Sequence, residues 1–245
     1  MLQDVQAALE RGDHEGVLRL TDELLAQRPG EDAAHEYRAR ALLALGRLDE
    51  AEQHAQDAVR LDPDEIRYRE LLAQVLSEAG AHRDAAAEFG RLARNDPRQT
   101  TWTLAEAQER LGASQPAMGL DAARRAVQLE PRNGRAQLAL SQALARTGDP
   151  RGAFQAAGAA TRLLGGLPEA REALADARWL GNDDATAFNE YQILANEMQG
   201  TDADRVIAKA RTLYLQHAGW AGRLIAGIGP LFAFAFRRGW LRVRP

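Results

Sequence analysis

Small and apolar side chains recur along the chain with a period of 34 residues. Three columns of positions keep this period from the first repeat to the sixth: Val5, Ala39, Ala73, Ala107, Ser141 and Ala175; Val17, Ala51, Ala85, Gly119, Ala153 and Ala187; and Leu24, Ala58, Leu92, Ala126, Ala160 and Leu194. Small side chains allow two antiparallel helices to approach closely. The pattern therefore predicts a series of packed helix pairs.

Turn residues follow the same period. Glycines stand at 12, 46, 80 and 148, and the two remaining members of the series are Ser114 and Asn182. Glycine adopts the left-handed backbone without strain, and asparagine tolerates it better than most residues. Prolines at 29, 63, 97 and 131 are also 34 residues apart. We predict a left-handed turn inside each helix pair and a helix end before each proline.

These glycine, alanine and proline columns resemble the tetratricopeptide repeat family. The resemblance implies an all-α, right-handed superhelical solenoid of about six helix-turn-helix repeats over residues 1–199. The predicted repeats are about 1–29, 32–63, 66–97, 100–131, 134–165 and 168–199. A capping helix at 201–219 follows, because a solenoid needs a cap at its open end. The last segment, 220–245, is an apolar tail flanked by arginines.

Composition argues against a catalyst. The chain has no cysteine, so disulfides and thiolate metal sites are excluded. No two of its five histidines have metal-ligand spacing on one helix, and no phosphate loop or nucleophile elbow occurs. We expect no enzyme activity, no cofactor and no metal. The N-terminus has no signal-peptide run, so a cytoplasmic location is expected.

A column of polar side chains marks the candidate binding groove. The resemblance places the first helix of each repeat on the concave face. At one groove position the sequence carries Gln6, Arg40, Gln74, Gln108, Gln142 and Asp176. Such amides can donate and accept hydrogen bonds along the backbone of an extended peptide; alternatively, glutamine is simply a good helix former at exposed sites. Tyr37 and Trp179 are candidate hot spots, although Trp179 would equally suit packing between repeats.

Charge is segregated toward the C-terminus. Residues 205–245 contain eight basic residues and no acid, whereas the whole chain has a formal net charge of −4. Leu224–Phe236 is an uncharged run without an evident amphipathic period, too short to span a membrane and expected to kink at Pro230. Its candidate contact residues are Trp220, Arg223, Leu231, Phe232, Phe234, Phe236, Arg237, Arg238 and Trp240.

The tail has three open roles. It lies in an anionic membrane interface, which would place the protein at the inner face of the membrane; it docks on a partner or a second copy; or it folds back on the acidic repeats. Nucleic acid is not expected, because acidic repeats repel phosphates. The sequence thus predicts an interaction scaffold or adaptor that binds a peptide or partner helix. The alternative is a membrane-associated or self-associating assembly component that acts through its tail.

Overall fold

Every described helix follows the predicted period in the computed structural model, which describes residues 1–217, 229–239 and 241–243. No strand occurs in those residues, and the all-α prediction is confirmed. The even-numbered helices from α2 to α12 each have 14 residues and begin 34 residues apart; the odd-numbered ones from α3 to α11 each have 13. The helices are α1 Leu2–Glu10, α2 His14–Gln27, α3 Asp32–Ala44, α4 Leu48–Leu61, α5 Ile66–Glu78, α6 His82–Asn95, α7 Thr100–Gly112, α8 Pro116–Leu129, α9 Gly134–Arg146, α10 Pro150–Leu163, α11 Pro168–Leu180, α12 Asp184–Glu197, α13 Gly200–His217 and α14 Gly229–Arg237.

The chain forms two compact units. The N-terminal unit is Met1–Ala122 and the C-terminal unit is Ala123–Pro245, so that the division falls within α8. Within the N-terminal unit each helix from α1 to α7 packs against the next. Within the C-terminal unit the same holds from α9 to α13, and α14 packs against both α12 and α13.

The turns confirm the predicted column. Gly12, Gly46, Gly80 and Gly148 have φ between +72° and +81°. Ser114 and Asn182 are the only residues other than glycine with positive φ in the described chain, at +56° and +64°. Helices α2, α4, α6 and α8 end two residues before their prolines. The local signals therefore set both ends of each even-numbered helix.

The small-residue columns form the contact between paired helices. Ala39, Ala73, Ala107 and Ala175 are fully buried, as are their partners in the second column. The C-terminal unit ends in a larger apolar core, in which Phe188, Tyr191, Leu194, Leu213, Phe232 and Phe236 are fully buried. Among the described residues, no helix combines the length and the hydrophobicity needed to cross a membrane.

The tail differs from its sequence-based description. Pro230 lies in the first turn of α14, where proline is tolerated, and does not kink this helix. Phe232, Ala235 and Phe236 are buried on one face of α14, whereas Phe234 is exposed. The apolar run therefore does have a helical period over its second half, with spacing i, i+3, i+4.

Candidate functional site

Two carboxylates of α11 face two cations of α13 in the C-terminal unit. Glu172 and Asp176 are four residues apart, as are Arg205 and Lys209, so each pair lies on one helix face. Lys209 Nζ lies 2.8 Å from Glu172 Oε1 and 2.6 Å from Asp176 Oδ2, and Arg205 donates to both Glu172 oxygens at 2.8 and 3.1 Å. Part of the basic charge after residue 204 is therefore neutralised within the unit.

This network shifts the ionisation of its members. Burial alone would raise the pKa of Glu172, but hydrogen bonds from Arg205 and Lys209 hold that pKa below the ordinary 4.5. The Tyr191 hydroxyl donates to Asp176 Oδ1 at 2.6 Å. Burial, together with the Asp176 charge, raises the pKa of Tyr191. The carboxylates thus stay ionised and hold α11, α12 and α13 in fixed register.

A cavity of about 580 Å³ opens beside this network, on the face formed by α9, α11 and α13. Its lining includes Arg146, Asp176, Trp179, Lys209 and Gln216. The Trp179 ring is partly buried, packs edge-to-face on Tyr191 at 6.4 Å, and donates from Nε1 to Gln216 Oε1 at 3.3 Å. The structure therefore both packs Trp179 against the core and exposes part of its ring in a cavity.

The remaining predicted groove residues occupy exposed positions on odd-numbered helices. Gln74 on α5, Gln108 on α7 and Gln142 on α9 are exposed, and within the described part of the chain their amides make no side-chain hydrogen bond. Arg40 is exposed and pairs with the buried Glu36 at 2.9 Å. Tyr37 is partly buried against the core of the N-terminal unit. The glutamine amides are thus open to a ligand, whereas Arg40 is already paired.

The predicted tail residues divide into buried and exposed groups. Phe232 and Phe236 belong to the core of the C-terminal unit, where Phe236 contacts Phe188 edge-to-face at 5.0 Å. Phe234, Arg237 and Arg238 are exposed, and the Arg238 guanidinium lies 5.6 Å from the Phe234 ring centre. Leu231 lies in α14. Trp220, Arg223 and Trp240 lie outside the described residues.

A histidine pair that the sequence analysis missed links α3 and α4. The ligand atoms of His35, His54 and Asp57 lie within 4.8 Å of one another, a spacing that suits a metal ion. However, Arg38 Nε donates to His54 Nε2 at 3.0 Å, so the proton of a neutral His54 is on Nδ1 and points to His35 Nδ1, 2.9 Å away. His35 Nε2 in turn donates to the Pro29 carbonyl at 3.2 Å. This chain of hydrogen bonds, with a guanidinium beside it, suits two neutral imidazoles better than a cation.

The same position links the two helices of other repeats. Arg69 and Glu88 stand 34 residues after His35 and His54 and pair at 2.8 Å. Arg69 also donates to the Pro63 carbonyl at 3.2 Å. In the sixth repeat, Arg171 pairs with Glu190 at 2.7 Å. The histidine pair is therefore the titratable version of a contact within the repeat, and aligning the repeats would have located it from sequence.

Comparison with known proteins agrees with this geometry. A model of the family described as "Tetratricopeptide repeat" matches residues 8–75. The chain is a tetratricopeptide repeat protein. No curated protein matches it in sequence. Its helix pairs and left-handed turns extend the repeat well beyond the matched residues.

Solved structures share the fold of this tetratricopeptide repeat protein at low identity. A tetratricopeptide repeat protein from Parabacteroides merdae ATCC 43184 is 13% identical, with a TM-score of 0.71 over 94% of this chain and 96% of that one. MamA from Desulfovibrio magneticus RS-1 is 20% identical, with a TM-score of 0.59 over 67% and 91%. YrrB, described as having an unusual peptide-binding site, is 16% identical, with a TM-score of 0.54 over 80% and 93%.

Proposed function

We propose that this protein is a non-catalytic scaffold that binds a peptide segment of another protein in the cavity of its C-terminal unit. The observation that carries the proposal is the partly exposed ring of Trp179 in a cavity of about 580 Å³. Tryptophan and arginine dominate binding energy where they line pockets. The YrrB likeness adds support, since that protein of the same fold has a peptide-binding site.

The cavity chemistry defines the kind of peptide. Trp179, Leu180 and Ala145 offer an apolar floor, while Arg146 and Gln216 supply polar groups at its edge. Lys209 is already neutralised by Glu172 and Asp176, so it adds little net charge. We therefore expect a segment with one apolar or aromatic side chain for Trp179, flanked by residues that hydrogen-bond, and not a strongly charged peptide.

The exposed glutamines extend this proposal to the peptide backbone. An amide can donate and accept at once, which matches the alternating groups of an extended chain. Gln74 and Gln108 occupy equivalent repeat positions in the N-terminal unit, and Gln142 does so in the C-terminal unit. Replacing all three by alanine should weaken peptide binding and leave the helical circular dichroism unchanged. Unchanged affinity would show that these glutamines are only exposed helix formers.

The cavity is tested directly with selected peptides. Peptides obtained by phage display on the immobilised full-length protein would be titrated by calorimetry against the wild type, Trp179→Ala and Phe154→Ala. Phe154 is the matched control, since it is an exposed aromatic of α10 in the same unit and does not line this cavity. We expect Trp179→Ala to weaken binding at least tenfold and Phe154→Ala to change it less than twofold. Equal affinity of all three proteins would refute the cavity as the binding site.

For the tail, the buried faces of Phe232 and Phe236 support the fold-back role. Gln192 on α12 donates to the Phe236 carbonyl, and Asn196 donates to the Arg237 carbonyl at 3.3 Å. These bonds satisfy carbonyls at the C-terminal end of α14, which has no following turn to do so. We propose that α14 caps the repeat series, and that a membrane or a partner meets only its outer face.

A further inference from the structure

The two compact units carry opposite net charge. The N-terminal unit contains 24 Asp and Glu against 14 Arg, a net charge of −10. The C-terminal unit contains 11 Asp and Glu against 17 Arg and Lys, a net charge of +6. Every copy of the protein therefore presents one acidic and one basic unit, and each is complementary to the opposite unit of another copy.

The opposite charges extend to the two ends of the repeat series. In α1 and α2 the exposed acids include Asp4, Glu10, Glu15 and Glu23. As the first helix, α1 has no preceding helix of the chain to cover it, unlike α3, α5 and α7. The acidic end is therefore an open end of a repeat stack, where another element can dock.

At the other end, the outer face of α14 presents Arg237 and Arg238, and Arg242 is exposed just beyond it. Within the described residues these three arginines form no ion pair. The carboxylates of α12 do not neutralise them, because Glu190 and Glu197 both pair with Arg171, at 2.7 and 2.5 Å. The basic charge of this end is thus available to another molecule.

We propose that the protein associates head to tail, with the arginine-rich outer face of α14 docked on the acidic first repeat of a second copy. Contact between two different surfaces leaves a free acidic end and a free basic end, so association continues beyond a dimer. This inference goes beyond peptide binding and does not involve the cavity. Because exposed ion pairs are screened within about 10 Å at 0.1 M salt and about 3 Å at 1 M, association must weaken as salt increases.

An anionic membrane is the less favoured occupant of this face. Interfacial binding requires apolar side chains that enter the acyl boundary together with basic residues. Phe232 and Phe236 are fully buried in the core of the C-terminal unit and cannot serve. What the described part of α14 offers outward is mainly charge, with Phe234 between its arginines. Charge without an apolar face fits an acidic protein surface better than a bilayer.

Charge-reversal variants test the proposal on the full chain. Sedimentation velocity from 5 to 200 µM would be run at 50 mM and 500 mM NaCl. We expect the wild-type sedimentation coefficient to rise with concentration at low salt and to stay that of a monomer at high salt. Arg237→Glu with Arg238→Glu, and separately Glu15→Lys with Glu23→Lys, should each remain monomeric at low salt. An equimolar mixture of the two variants should associate again, because their altered surfaces are complementary.

A matched control separates the docking surface from net charge. Arg151→Glu with Arg162→Glu changes the charge of the same unit by the same amount, at exposed positions of α10. This variant should associate like the wild type. Loss of association in the control, or failure of the mixture to associate, would overturn the proposal. A wild-type protein that is monomeric at every salt concentration would also overturn it, and flotation with phosphatidylglycerol vesicles would then assign the arginines to a membrane.

Discussion

The left-handed turn inside each repeat makes a quantitative prediction about single residues. Four repeats place glycine there, and no atom lies within 4 Å of a Cβ built on Gly12, Gly46, Gly80 or Gly148. Replacing Gly46 by alanine therefore creates no clash and changes only backbone strain. A non-glycine residue costs about 1–2 kcal/mol in this conformation. Reduced freedom of the unfolded chain offsets about 0.4–1 kcal/mol, so Gly46→Ala should destabilise by about 1 kcal/mol.

The reverse change should stabilise. Ser114 adopts φ +56° at the same turn, so Ser114→Gly should relieve that strain and gain about 0.5–1 kcal/mol. Asn182 adopts φ +64°, but its short polar side chain tolerates this conformation, so Asn182→Gly should gain less. The three substitutions thus have an expected order, not only a sign.

Urea unfolding followed by far-ultraviolet circular dichroism measures this order. With a slope of about 2 kcal/mol per molar urea, a change of 1 kcal/mol moves the midpoint by about 0.5 M. Each compact unit contains a glycine and a substituted turn, so Gly148→Ala with Asn182→Gly repeats the comparison in the C-terminal unit. If Ser114→Gly destabilised the protein as much as Gly46→Ala does, the strain argument would be wrong.

Three further predictions concern the packed elements. Phe236→Ala should cost up to about 3–5 kcal/mol in unfolding free energy by thermal or urea melts, whereas Phe234→Ala, an exposed neighbour in α14, should cost under about 0.5 kcal/mol; equal effects would mean that α14 is not docked. Tyr191→Phe should cost about 1–2 kcal/mol in the same assay, because Asp176 loses a short hydrogen bond. Burial, with the positive charges of neighbouring groups, lowers the pKa of His54 below 6.5, so the unfolded chain binds more protons and stability should fall as pH drops below 6.5. His54→Gln should flatten that part of the pH profile, and an unaltered profile would assign it to another group.

The opposite signs of the two units bear on the study of any partner. Salt weakens contacts between exposed charges and leaves apolar contacts largely intact. Peptide binding through Trp179 should therefore survive 500 mM NaCl, whereas head-to-tail association should not. Measuring both on one sample at two salt concentrations distinguishes the proposals without any mutation.

The sequence alone determined the helices and their turns, because both depend on local chemistry. A period of 34 residues, small residues on the contact faces and a residue that accepts positive φ are all visible in one dimension. The structure places Ser114 and Asn182 in the same conformation as the glycines because the register of the repeat requires it. Trp179 was likewise identifiable, since its repeat position implied the face on which it lies.

Only the tertiary structure decided which polar groups are already used. The sequence showed a basic C-terminal region, but the pairing of Lys209 with Glu172 and Asp176 joins helices more than 30 residues apart. The meeting of His35 with His54 across α3 and α4 is similar, since neither histidine indicates the other from spacing on one helix. Burial of Phe232 and Phe236 depended on the apolar end of α12 and α13 being available to α14. Such contacts arise from the packing of separate elements, which local pattern does not encode.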